Sequence, residues 1–155
     1  LPMKTTETET TESIEKTKIK TIIFNPKIRR QLNDGPEPIR IQQEEEYTRI
    51  DFVYKAKSYY HRGGWVNIRP DTFIRIPGSG DNFKLINAVN IPLAPQKHYF
   101  NSTKEWLAYT LYFPALPKGT STIDIIEHEG PGGNWFNFYG VSLEETKRKP
   151  LFVEN

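Results

Sequence analysis

Two segments of this chain alternate apolar and polar side chains at period two, and that alternation restricts what it can fold into more than any other feature. In Tyr47–Lys57, the residues Ile50, Phe52, Tyr54 and Ala56 fall on one face. Arg49, Asp51, Lys55 and Lys57 fall on the other, and Val53 is the interruption. In Leu107–Phe113, the residues Leu107, Tyr109, Leu111 and Phe113 share a face. Successive side chains of a strand point to opposite sides, so this is the pattern of antiparallel strands with one face buried. No stretch sustains helical spacing over three turns.

Turn chemistry punctuates the rest. Asn33-Asp34-Gly35-Pro36, Pro77 to Asn82, Leu116-Pro117-Lys118-Gly119 and Gly130-Pro131-Gly132-Gly133-Asn134 are each rich in residues that preset or permit turn geometry. Between them the sequence predicts strands over Lys18–Phe24, Ile39–Gln42, Trp65–Ile68, Thr72–Ile76, Thr122–Glu127 and Trp135–Leu143. One or two more fit within Phe83–Ile91. Pro92 and Pro95 exclude a central strand after that. Ser102-Thr103-Lys104-Glu105 matches a capping box and predicts one helical turn. Gly140, inside a strand pattern, predicts a bulge or a close backbone approach. The expectation is an all-β fold, an antiparallel and immunoglobulin-like sandwich of about eight to ten short strands with at most one short helical turn.

A chain of 155 residues fits one domain. Only 36% of it is hydrophobic, but 13% is aromatic, and each buried ring removes roughly 150–250 Å² from water. The boundaries read as a Thr/Glu-rich tail or linker at 1–17, a β-sandwich at 18–145 and a C-terminal tail at 146–155. The first segment, LPMKTTETETTESIEKT, cannot bury enough apolar surface to offset its ordering entropy and is expected to be a solvated tether. No signal peptide is visible, and the start looks like a mature or trimmed terminus from which a leader could have been removed. It holds two lysines against four glutamates, which leaves +4 on the remainder when the whole chain carries +2. That is too little charge for a nucleic-acid partner. There is no cysteine, which removes disulfides and thiolate chemistry together. No apolar run reaches the ~18 residues that span a bilayer.

The C-terminal third, FPALPKGTSTIDIIEHEGPGGNWFNFYGVSL, resembles β-sandwich domains of Bacteroidetes envelope and secreted proteins. The matching positions are Phe113-Pro114, Leu116-Pro117, Ile123 to Glu127 and Trp135 to Leu143. TRIDFVYKAK and TFIRI look like earlier strands of the same domains, so the resemblance covers Tyr47 to Leu143. It implies the immunoglobulin-like fold and an extracytoplasmic location in the periplasm, at the outer-membrane surface or outside the cell, more than it implies an activity.

Catalytic and metal chemistry find little support in the residues. His61, His98 and His128 are scattered, and in Glu127-His128-Glu129 a strand would put the two glutamates on one face and the histidine on the other. Asp51, Asp71, Asp124 and Glu127 are the carboxylates from which a hydrolytic pair would have to come. No phosphate loop, nucleophile elbow or cofactor motif is present. Aromatic side chains beside glycines are more suggestive. Tyr60, His61, Arg62 and Trp65 lie in YYHRGGW, Asn134 and Trp135 in GGNWF, and His98 and Tyr99 in HYF. Rings on loops anchor interfaces, so these eight are the expected binding residues, with no catalytic residue, no metal and no cofactor. The expected function is a non-enzymatic interaction domain of the bacterial cell envelope or exterior that binds a protein partner as an accessory or adhesion subunit. The alternative is a carbohydrate-binding module that uses its loop aromatics.

Overall fold

The computed structural model describes residues 19–144. The tail at 1–17 and the segment at 146–155 lie outside the described residues. Among the described residues twelve strands follow one another: β1 Ile19–Phe24, β2 Ile28–Gln31, β3 Glu37–Glu44, β4 Tyr47–Lys55, β5 Trp65–Val66, β6 Phe73–Arg75, β7 Asn82–Lys84, β8 Asn87–Val89, β9 His98–Tyr99, β10 Trp106–Pro114, β11 Thr122–Ile126 and β12 Phe138–Ser142. They form an antiparallel sandwich. One sheet has the order β1-β3-β4-β10-β8 and the other β2-β12-β11-β6-β7, while β5 and β9 make a separate two-stranded ribbon.

The alternation of β4 and β10 is what closes the sandwich. Tyr109 pairs with Phe52, and Leu111 with Ile50, across these two central strands. Ile50, Phe52, Tyr54, Leu107, Tyr109, Leu111 and Phe113 are all buried. Phe52 stacks on Tyr109 at 5.0 Å and meets Phe138 of the facing sheet at 5.8 Å, so the two sheets share one core. The turn at 116–119 carries the chain from β10 in one sheet to β11 in the other.

The opposite face of β4 holds Asp51, buried although it faces outward. Arg40 and Arg49 donate to it through Nε at 2.6 and 3.1 Å, and Thr110 through Oγ1 at 2.6 Å. Burial alone would raise its pKa; the hydrogen bonds from Thr110, Arg40 and Arg49 outweigh that and hold it below the usual carboxylate range.

Three local expectations change. β2 is a four-residue edge strand whose two middle residues, Arg29 and Arg30, are exposed, so it carries no apolar alternation to announce it. Ser102–Glu105 forms no helix; the Glu105 carboxylate instead accepts from Asn101 N at 3.1 Å, and Ser102 Oγ accepts from Lys104 N. The short helical turn of the described residues lies at His61–Gly63. The last strand begins at Phe138, not Trp135.

Gly140 is where the bulge falls. Its φ is +66°, and a Cβ there would lie 2.7 Å from Arg29 Cβ. Its N–H donates to Asp124 Oδ1 at 2.9 Å, opposite the register shift between Ile123 and Ile125. The left-handed backbone costs a non-glycine residue about 1–2 kcal/mol, and the contact with Arg29 adds to it. Gly140→Ala should therefore lower the unfolding free energy by about 2 kcal/mol or more, read from urea denaturation. An unchanged midpoint would show that β12 pairs β11 without this kink.

Candidate functional site

Four segments meet at one end of the sandwich. They are the β2–β3 turn at Asn33-Asp34, the stretch from the end of β4 through β5, Glu127 just past β11, and the β11–β12 loop at residues 133–136. They enclose a cavity of about 610 Å³, within the range of small-molecule sites.

The β4–β5 loop is folded back on itself. Lys57 N donates to Gly63 O at 3.3 Å, and Gly63 N to Tyr60 O at 3.0 Å. Gly63 sits at φ +90°, where a Cβ would lie 2.6 Å from Ala56 Cβ and 2.9 Å from Ser102 O. Only glycine fits there. The fold-back sets Tyr59 and Tyr60 side by side, with ring centroids 4.7 Å apart. It then delivers Trp65 to the ribbon, opposite Tyr99. Trp65 is 46% exposed and has the Lys97 ammonium 4.4 Å above its ring.

The floor is made by buried residues. Tyr54 packs between Phe100 and Phe136 at 5.8 and 5.7 Å. Burial, and then the neighbouring Tyr59, Tyr60 and Asp34, push its phenol up to about 12. Lys57 lies 5.0 Å from the Tyr54 ring and 3.8 Å from the Asp34 carboxylate.

The far wall depends on a reciprocal clasp. Glu127 Oε1 accepts from Phe136 N at 2.8 Å, and Oε2 from Arg69 N at 3.1 Å. Asn137 Oδ1 accepts from Glu127 N at 2.8 Å and His128 N at 3.2 Å, and Asn137 Nδ2 donates to His128 O at 2.8 Å. Both side chains are buried. Asn33 Nδ2 donates to Trp135 O at 2.8 Å, tying the β2–β3 turn to the same wall. Trp135 is half-buried against His128 at 4.7 Å, with Arg69 above its ring at 5.4 Å and its indole N–H buried without a partner among the described residues.

Burial raises the Glu127 pKa; the N–H groups of Phe136 and Arg69 and the Arg69 charge counter it without restoring the ordinary value of 4.5. A carboxyl raised in the folded state binds its proton more tightly there than in the unfolded chain. Its stabilising effect is complete below pH 4.5 and is lost as pH rises through the folded value. Relative to Glu127→Gln, which has no such titration, the wild type should lose stability across that window. Urea unfolding of both proteins at a series of pH values tests this, and parallel pH profiles would contradict it.

Of the eight residues expected to bind, Tyr60, His61, Trp65, Asn134 and Trp135 line the cavity. Arg62, His98 and Tyr99 do not. Arg62 is exposed at the tip of the fold-back, with φ +56°. His98 packs edge-on against Phe100 at 5.0 Å. Tyr99 is exposed beside Trp65 on the ribbon and widens the aromatic surface outside the cavity. Asn33, Asp34, Tyr54, Lys57, Asn67, Glu127 and Phe136 also line it and were not among the expected binding residues. The alternation expected of Glu127-His128-Glu129 fails because β11 stops at Ile126. Glu127 is buried, whereas Glu129 is exposed and paired with Arg75 at 2.7 Å. Among the described residues no group of three or more histidine or acidic side chains could hold a metal ion, and no helix is long and apolar enough to cross a membrane. Compared with protein-family models, curated proteins and solved structures, the chain matches none.

Proposed function

We propose that this domain is a non-catalytic binding module and that a carbohydrate segment enters the cavity at the end of the sandwich. The observation that carries this is the convergence of Trp65, Trp135, Tyr59 and Tyr60 on one concave site whose lining also includes Asn33, Asn67, Asn134 and Asp34. A pyranose presents apolar C–H faces, which stack on aromatic rings, and a rim of hydroxyls, which need amide and carboxylate partners. A cavity of this size suits a few sugar units better than the flat core of a protein interface. Glu127 supports binding over hydrolysis, because backbone N–H groups occupy both of its oxygens and glycoside hydrolysis ordinarily requires a pair of free carboxyl groups. The sequence resemblance supports an extracytoplasmic setting, with the immunoglobulin-like sandwich displayed at a bacterial cell envelope or beyond it.

A protein partner is the second reading, and a separate surface favours it. Trp106, at 62% exposure, and the exposed Ala108 stand on the outer face of β10, next to the exposed edge residue Val89. Titration of neutral and charged oligosaccharides, followed by calorimetry, separates the readings. Saturable binding that is lost in Trp65→Ala and kept in Trp106→Ala supports the glycan site. No heat from any oligosaccharide, together with capture of an envelope protein that depends on Trp106, would overturn it.

A further inference from the structure

Charge at the cavity points to a narrower ligand class, and this step rests on the carbohydrate reading. Two carboxylates, Asp34 and Glu127, line the cavity against one ammonium, Lys57. Lys57 is matched with Asp34 at 3.8 Å. Glu127 is 4% exposed, and its two oxygens accept only from uncharged backbone groups. The nearby cation, Arg69, gives Glu127 its backbone N–H and commits its guanidinium elsewhere. It binds Asp71 at 3.0 and 3.1 Å and lies over Trp135. Among the described residues no side-chain cation pairs with Glu127.

A buried carboxylate without a counter-ion carries a desolvation cost that an incoming cation would relieve. Of the wall aromatics, Tyr59 and Tyr60 are the ones placed to receive that charge. Tyr54, Trp65 and Trp135 each already hold a protein cation over one ring face, while Tyr59 and Tyr60 form an exposed aromatic corner at 4.7 Å. Rings attract a cation through their negative faces. We infer that the site takes a sugar bearing a protonated amine, in which the rings stack on the sugar and the ammonium is drawn to the Glu127–Asp34 side. An N-acetylated sugar would gain the stacking but not the charge term. A uronate would meet two carboxylates of its own sign.

The test is calorimetric titration of the whole chain, at a pH where the amine is protonated, with glucosamine, N-acetylglucosamine, glucose and galacturonate oligomers of equal length. Glucosamine oligomers should bind at least tenfold more tightly than their N-acetylated counterparts, and galacturonate oligomers most weakly. Glu127→Gln should cut the amine preference at least fivefold. Where that variant does not fold, Asp34→Asn carries the test, because its side chain is 96% exposed, and it should lower the same ratio. Equal affinity for amine and N-acetyl oligomers, both lost in Trp65→Ala, would overturn the amine preference and leave the carbohydrate reading standing. Absence of binding by all four oligomers would overturn both.

Discussion

Replacing Asn137 with alanine should lower the unfolding free energy by about 3 kcal/mol or more and remove ligand binding with it. The side chain is buried and fully engaged. Its oxygen accepts from the N–H groups of Glu127 and His128, and its amide nitrogen donates to the His128 carbonyl. Alanine leaves two backbone donors and one acceptor without those partners, and each such buried group costs about 1–3 kcal/mol unless water reaches it. The effect should spread to the cavity. Glu127 holds Phe136 through its backbone N–H, and Phe136 follows Trp135 directly. Once Glu127 is no longer fixed by Asn137, the wall carrying Trp135 loses its register. A drop in melting temperature on the order of 10 °C is expected for a domain of this size. Asn137→Asp is the informative companion, because it keeps the acceptor for two N–H groups but sets a carboxylate oxygen against the His128 carbonyl. If the alanine variant melted within a degree or two of wild type, the clasp would not be what holds this loop.

The second large effect is on binding alone. Trp65→Ala should weaken glycan affinity by about 2 kcal/mol or more, a loss of roughly thirtyfold, and change stability by less than about 1 kcal/mol. Trp65 stands on a two-residue strand of the ribbon, is 46% exposed and has only Lys97 stacked on its ring. Little packing is lost with it. Trp135→Ala should behave differently, costing about 2–3 kcal/mol of stability as well as affinity, because its indole is half-buried against His128 and under Arg69. Denaturation and calorimetry on the same two variants separate anchor from wall. A stability loss for Trp65→Ala equal to that of Trp135→Ala would make both rings core, and the binding role would lose its main support.

These two tryptophans also show how far the sequence reached. Aromatic residues beside glycines marked both loops, and in the first the glycine proves necessary, since Gly63 occupies a conformation and a space closed to any side chain. Tyr60, His61, Trp65, Asn134 and Trp135 were legible on that basis. Asn33 and Asp34 read only as turn residues, and Tyr54 only as core; both descriptions hold, yet all three also line the cavity. Asn137 had no signal at all, because a buried asparagine in an aromatic segment looks like any polar residue of a strand until its partners are known.

The sequence by itself determined the longer sheet-forming segments, though not β2 or β9, the buried faces of β4 and β10, the turns between strands and the need for glycine at position 140. Each follows from local backbone geometry: the alternation of side chains along a strand, and the few residues that accept unusual φ angles. Only the tertiary structure decided which loops share an end and which carboxylate is buried. Strand order places β2 beside β12, which in turn pairs with β11, so Asn33 reaches the Trp135 carbonyl across 102 positions of the chain. β11 stops at Ile126, so Glu127 turns inward to meet Phe136, Arg69 and Asn137. Such convergence depends on pairings between distant strands, and no local pattern records them.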